Sequence, residues 1–317
     1  MENVFNPIEV LEKQYNSTFL DREESENVEN YYREEYKDFL DIRDHGYTVL
    51  TKTTPQIELS KGCAACKSGG WLCVFVGYVC NANCPFCPQD EINRHAIDGK
   101  IQNSYGNSYE LKYLIASVGE KLKGISYSGG EPLLYLDKVL DLAKYVNENR
   151  PDVYQWIYTN GILVDEDILH KLKSVGINEV RFNLAATNFN EEIIAKLPLV
   201  KEIIGKVTVE IPAVPEIRCL LQDNMLERLV ENGVEQLNLA ELSIVNARTA
   251  DTYCKNAKVA CHFQRGSALC LAESTDIFYE IVDYVQKNNI NVLLNHCDHN
   301  AKMIQAISKD ITGIPSA

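Results

Sequence analysis

From Trp71 to Leu242 the chain repeats one unit: a short run rich in β-branched and aromatic residues, an amphipathic stretch, then another such run. The runs begin near Trp71, Ile125, Tyr154, Glu179, Lys206 and Gln236, most of them separated by roughly 25–30 residues. A chain that alternates in this way pairs its strands in parallel, with helices crossing back over the sheet. No GxGxxG follows the first run, so the pattern predicts an α/β fold of the partial (β/α)6, TIM-like barrel type rather than a dinucleotide-binding sheet. In that architecture functional groups gather at the carboxyl ends of the strands.

The flanks differ from this core. Residues 1–60 are acidic and rich in tyrosine, with no glycine before Gly46, and predict an N-terminal helical extension. Residues 61–245 hold the barrel. Residues 246–317 predict a C-terminal region packed on it as a cap. That region has a polar segment with Cys254, Cys261 and Cys270, a helix from about Thr275 to Lys287, and a last apolar run, Ile290 to Leu294.

Charge and cysteine content narrow the function. A net charge of −14 argues against phosphate-driven binding of nucleic acid and gives no support for an anionic membrane partner. No apolar run approaches the roughly 20 residues needed to cross a bilayer. Met1–Phe5 lacks the basic and apolar regions of a secretory signal, so a cytoplasmic location is expected. In a reducing compartment the 11 cysteines read as metal ligands, catalytic groups or buried apolar residues rather than disulfides.

Cys80, Cys84 and Cys87 follow the first run directly, at CxxxCxxC spacing. Three thiolates can hold three irons of a 4Fe–4S cube and leave the fourth iron open for chemistry. On spacing alone, a zinc knuckle or three unrelated core cysteines fit as well. Ser128-Gly129-Gly130-Glu131-Pro132 follows the second run. Its glycines permit close backbone approach to a ligand, Glu131 supplies an acceptor for a cationic amine, and Pro132 sets the exit. Taken alone, it is also a competent turn.

The two motifs in this order, with Phe86 before the last cysteine, resemble those of the radical S-adenosylmethionine (radical SAM) superfamily over roughly residues 70–245. The resemblance implies that Cys80, Cys84 and Cys87 bind a 4Fe–4S cluster whose open iron chelates S-adenosylmethionine, and that Gly129 to Pro132 contact its methionine amine. It implies reductive cleavage to a 5′-deoxyadenosyl radical, fed by an external one-electron donor of flavodoxin or ferredoxin type, in an oxidoreductase or transferase. Thr159-Asn160-Gly161 resembles a turn beside the cofactor, and Asn183 stands where a polar residue meets the ribose. Glu210, Ile211 and Pro212 fall where backbone and apolar contacts to adenine are expected. Glu241 and His95 are candidates to face substrate.

A narrower resemblance rests on Gly62-Cys63-x-x-Cys66-x-x-Gly69 before the first strand. It is to a little-characterised, largely archaeal group that also carries a late cysteine beside Asn or His, as Cys297 follows His296. This implies a second metal site, an auxiliary iron–sulfur cluster or zinc, on Cys63, Cys66 and Cys297. Cys73, Cys261, His296 and His299 are the candidates for its fourth ligand. The expected substrate is a small molecule or a nucleoside-like compound. Modification of a protein or peptide, glycyl-radical activation included, and a non-catalytic electron-transfer role are the rivals.

Overall fold

The computed structural model describes residues 7–89, 108–262, 268–312 and 314. Twelve strands lie among the described residues. They are β1 (Thr18–Leu20), β2 (Leu40–Arg43), β3 (Thr48–Thr51), β4 (Trp71–Gly77), β5 (Gly124–Gly129) and β6 (Tyr154–Thr159). They continue with β7 (Glu179–Phe182), β8 (Val207–Pro212), β9 (Gln236–Ala240), β10 (Lys258–His262), β11 (Ala268–Leu271) and β12 (Leu293–Cys297).

Strands β4 to β9 pair in parallel in chain order, as the alternating pattern predicts. Beside β9, β12 adds a seventh parallel strand, in register from Leu293–Gln236 to Cys297–Ala240. The sheet runs β2-β3-β12-β9-β8-β7-β6-β5-β4, with β2 and β4 at its edges, so it is an open, partial barrel.

Helices cover one face. In Leu136–Asn149 the buried residues are Val139, Leu142, Ala143 and Val146, an i, i+3, i+4, i+7 stripe that can only face the sheet. Asp165 opens the helix Glu166–Ser174 by accepting a hydrogen bond from Ile168 N at 2.8 Å, with Glu166 and Asp167 at the positive helix end. Ile125, Tyr127, Ile157, Val180, Phe182, Val209 and Leu237 meet these helices in the main core. Each such burial stabilises the fold by roughly 1.5–3 kcal/mol.

The alternate strand positions make a polar inner face. Ser126, Glu179, Arg181, Thr208, Gln236, Asn238 and Asn295 are all buried there. The short helix Lys61–Lys67 lies across it. Ser60 caps that helix by accepting from Cys63 N at 3.1 Å, and the same hydroxyl accepts from Arg181 Nη2 at 3.0 Å. Arg181 is paired with Glu179 and Glu210, each at 2.8 Å, and its guanidinium lies 4.8 Å from the Trp156 ring. Burial works against its charge, but the charges of Cys63, Glu179, Tyr158 and Glu210 outweigh that and hold the guanidinium ionised.

Two expectations change. Residues before Lys61 do form helices, Pro7–Tyr15 and Arg22–Glu35, but they also supply β1, β2 and β3. The β2–β3 hairpin extends the main sheet through antiparallel pairing of β3 with β12, Leu50 opposite Asn295. The C-terminal residues do more than cap: β12 lies inside the sheet, and β10 joins β1 and β11 in a separate three-stranded sheet. The last apolar run, Ile290 to Leu294, leads into β12 at Leu293–Cys297, where pairing with β3 holds His296 and its neighbours extended.

Candidate active site

The cysteine loop leaves β4 where β5 and β6 also end, and local packing fixes its path. Gly129 has φ +123, and a Cβ there would stand 2.1 Å from Gly77 O. A Cβ on Gly130 would stand 2.2 Å from Val79 O. The paired glycines therefore let the β5 turn lie directly on the backbone entering the cysteine loop. Gly130 N donates to Gly77 O at 2.8 Å and Glu131 N to Val79 O at 2.9 Å. From the other side the Tyr135 hydroxyl accepts from Val79 N at 2.9 Å.

Glu131 points inward. Its Oε1 accepts from the Thr159 hydroxyl at 2.8 Å and Leu133 N at 3.1 Å, and its Oε2 from Asn160 N at 2.8 Å. It is 1 % exposed. Burial pushes its pKa up, against the pull of those three donors. These donors give the carboxylate a bracing role between the β5 and β6 turns, beside the expected contact with a cationic amine. Pro132 is buried at the start of the helical turn that follows.

Asn160 joins the β6 turn to the cysteine loop. Its Nδ2 donates to Asn81 Oδ1 at 2.7 Å and lies 3.9 Å from Cys80 Sγ, while its Oδ1 accepts from Ile162 N at 3.0 Å. Ala82 N also points at Cys80 Sγ, at 3.4 Å. Cys80, Cys84 and Cys87 are half-buried and take part in no disulfide among the described residues, and Phe86 anchors the loop in the core. Half-buried thiols with N–H groups directed at sulfur are a donor set suited to an iron–sulfur cluster.

Two residues invisible as site candidates in the sequence hold the same loop. Asn246 Nδ2 donates to Cys87 O at 3.0 Å, and Arg248 Nη1 to Asn83 Oδ1 at 2.8 Å. Asn246 also caps the helix Ala247–Tyr253, a signal readable from Asn246 and Thr249, but its reach to Cys87 is not local.

Other expected positions separate. Asn183 Oδ1 caps the turn Leu184–Thr187 by accepting from Ala186 N at 3.2 Å. The Ile211 side chain is buried in the main core, which leaves its backbone at the strand end. Glu210 turns to the inner face, where its Oε2 accepts from Arg181 at 2.8 Å and Asn238 Nδ2 at 2.9 Å. His95 lies outside the described residues.

The second cysteine set meets on the inner face. Gln236 Nε2 and Asn238 Nδ2 approach Cys63 Sγ at 3.2 and 3.3 Å, Gln305 Nε2 approaches Cys66 Sγ at 2.9 Å, and Asn295 Nδ2 approaches Cys297 Sγ at 3.2 Å. Burial raises the Cys66 thiol and pushes Cys297 up to about 12, with Cys63 charge adding to both. Cys73 shares this environment; burial raises it to about 11, against Ser126 and Lys309. The other fourth-ligand candidates lie elsewhere. Cys261 packs with Leu11, Cys254 and Leu269 beside the small sheet, His296 stacks on Phe278 at 4.0 Å, and His299 stacks on His262 at 4.2 Å.

Beyond β9, a cavity of about 310 Å³ opens between the helix Arg22–Glu35, β10 and the end of β12. Glu241, His262, Asp298 and His299 line it. Burial would raise Glu241, but His262, Lys302 and the His299 N–H outweigh it and hold the carboxyl below its usual range. Burial and neighbouring His262 push His299 down to about 4.

A family model described as the radical SAM superfamily matches residues 74–212. A candidate glycyl-radical enzyme activating enzyme of Methanocaldococcus jannaschii is 29% identical over 199 residues, 58% of this chain and 50% of its own length. GTP 3′,8-cyclase of Aliarcobacter butzleri is 31% identical over 141 residues, 43% of this chain and 40% of that protein. The crystal structure of Streptococcus suis SuiB bound to precursor peptide SuiA superposes with a TM-score of 0.51 at 17% identity, covering 72% of this chain and 48% of that one. At that identity the likeness is one of fold. The matches take in half or less of these relatives' own lengths.

Proposed function

We propose that this chain, which belongs to the radical SAM superfamily, abstracts hydrogen from a small polar or nucleoside-like substrate held at the carboxyl ends of its strands. A 4Fe–4S cluster and S-adenosylmethionine are the superfamily's cofactors, and with one electron from an external donor they supply a hydrogen-abstracting 5′-deoxyadenosyl radical. Cys80, Cys84 and Cys87 would hold the cluster. Asn160, Ala82 N and Asn246 would orient its loop, and Glu131 with Thr159 would brace the turns on either side.

The observation that carries the small-molecule reading is the cavity at the end of β9. It is walled by the N-terminal helix and the small sheet and lined by charged groups, which suits a compact polar ligand better than an extended chain. The segment from Glu241 to Asn246 runs from that cavity to the cysteine loop. No helix among the described residues is long and apolar enough to cross a membrane.

The test has two arms. Anaerobic reconstitution, dithionite reduction and assay for 5′-deoxyadenosine should show cleavage in wild type, and none once Cys80, Cys84 and Cys87 are replaced by Ala. Extract from deuterated cells, split by ultrafiltration, then identifies the substrate class. Deuterium should enter 5′-deoxyadenosine from the small-molecule fraction. Transfer from the polypeptide fraction alone would favour the second reading, protein modification, to which the similarity to the Methanocaldococcus activating enzyme points.

On the inner face, Cys63, Cys66 and Cys297 would bind a second metal centre, with Cys73 as the remaining thiol of that environment. Iron and zinc counts that are unchanged in Cys63→Ala/Cys66→Ala would remove this centre.

A further inference from the structure

We propose that Glu241, His262 and Cys270 form a mononuclear zinc-type site, separate from both cysteine sets, with its fourth position open to the cavity beyond β9. One ligand atom from each of the three, a carboxylate oxygen, an imidazole nitrogen and a thiol sulfur, lies within 4.8 Å of the other two. Glu241 Oε1 and His262 Nε2 are 3.3 Å apart. A tetrahedral zinc with bonds of about 2.0–2.3 Å sets its ligands roughly 3.3–3.8 Å apart, so the trio needs only small side-chain rotations to close on one ion. Neither Cys80–Cys84–Cys87 nor Cys63–Cys66–Cys297 is grouped this tightly, as suits thiolates that straddle a cluster rather than a single ion.

Three different elements deliver the ligands: the end of β9, the end of β10, and β11. Pairing of β10 with β11, Ala260 opposite Cys270 and His262 opposite Ala268, puts His262 and Cys270 diagonally on one face of the small sheet. Surrounding contacts already orient the carboxylate. The His299 N–H donates to Glu241 Oε2 at 2.6 Å, leaving Oε1 toward His262. Such partners fix a ligand's direction and tune its basicity. Lys302, which donates to the Glu241 carbonyl at 2.9 Å, offsets part of the negative charge that Glu241 and a Cys270 thiolate would bring. On binding, the Cys270 thiol proton passes to solvent.

An independent observation points into the same space. His299 Nε2 is buried, lines the cavity, and has no hydrogen-bond partner among the described residues. A plain Glu–His ion pair would require neither the thiol nor this unpartnered nitrogen. A metal with an open position would meet both, because water or a ligand oxygen in the fourth position could accept from His299 or donate to it. The mixed oxygen, nitrogen and sulfur set favours zinc over magnesium or calcium, which prefer oxygen alone.

The site does not depend on the substrate reading, and zinc K-edge X-ray absorption tests it with the iron–sulfur protein intact. Full-length, cluster-reconstituted protein is incubated with zinc chloride, washed with EDTA, and measured for zinc per chain and zinc ligation. Read in the Cys63→Ala/Cys66→Ala background, so that the inner-face cysteines do not contribute, the expected result is one retained zinc, with a single sulfur near ~2.3 Å and nitrogen or oxygen near ~2.0–2.2 Å. Cys270→Ser should abolish the sulfur scattering, and His262→Gln should cut retained zinc to background. No retained zinc in that background, a shell of three or four sulfurs, or a sulfur shell that survives Cys270→Ser would each overturn the assignment. If Cys270→Ser does not fold, the spectrum of the Cys63→Ala/Cys66→Ala protein decides by its sulfur count, and Glu241→Gln supplies the second ligand variant.

Discussion

The Thr159 hydroxyl donates to Glu131 Oε1 at 2.8 Å, so a carboxylate placed after β5 fastens the turn that follows β6. Asn160 N completes the clamp on Oε2, and the Asn160 side chain reaches on to Asn81 and Cys80. Removing the carboxylate leaves buried donors without partners, each costing about 1–3 kcal/mol. Glu131→Ala should destabilise the metal-free chain by about 2–4 kcal/mol in a denaturant titration. An unchanged midpoint with weakened S-adenosylmethionine binding would leave Glu131 an amine acceptor without the bracing role.

Gly130→Ala tests the contact between the β5 turn and the cysteine loop. The added methyl would stand 2.2 Å from Val79 O and 2.4 Å from Tyr78 O, both backbone, so the loop must shift. We expect far-UV circular dichroism close to wild type, with reconstituted iron sharply reduced. Full iron content would show that the loop tolerates displacement.

Asn246→Ala and Arg248→Ala should each weaken retention of the cluster. Each removes a short hydrogen bond to the cysteine loop and a longer one beside it; the short one alone is worth about 1 kcal/mol, or roughly fivefold in an equilibrium. Iron released to a chelator under anaerobic conditions reads this directly. Equal release from wild type and both variants would mean that the cysteine ligands alone set retention.

Arg181→Met should cost about 3–5 kcal/mol, because it strands buried Glu179 beneath the helix Lys61–Lys67. A loss below about 1 kcal/mol in the same titration would mean that the inner-face network contributes little to stability.

The repeated strand–helix alternation was enough to place β4 to β9 and their parallel order, since each strand contacts the next along the chain. The flanks were less legible. Thr48–Thr51 is too short to stand out as a strand, and it is held extended by β12, almost the whole chain away. Asn246 reads locally as a helix cap, and its second bond, to Cys87, depends on how the loop after β9 folds back. The bracing contacts of Glu131 were hidden for the same reason: its neighbours in sequence are glycine and proline, while Thr159 and Asn160 come from the next strand's turn.

Cys80, Cys84 and Cys87, followed one strand later by Gly129 and Gly130, were identified by spacing and order, because loop chemistry at strand ends is written in contiguous residues. Spacing also singled out Cys63 and Cys66. The resemblance joined Cys297 to them and the tertiary structure sets it beside them on the inner face, but only the tertiary structure could set Glu241, His262 and Cys270 within 4.8 Å of one another. Those groupings join residues from separate strands, and strand register in space, not distance along the chain, decides which side chains meet.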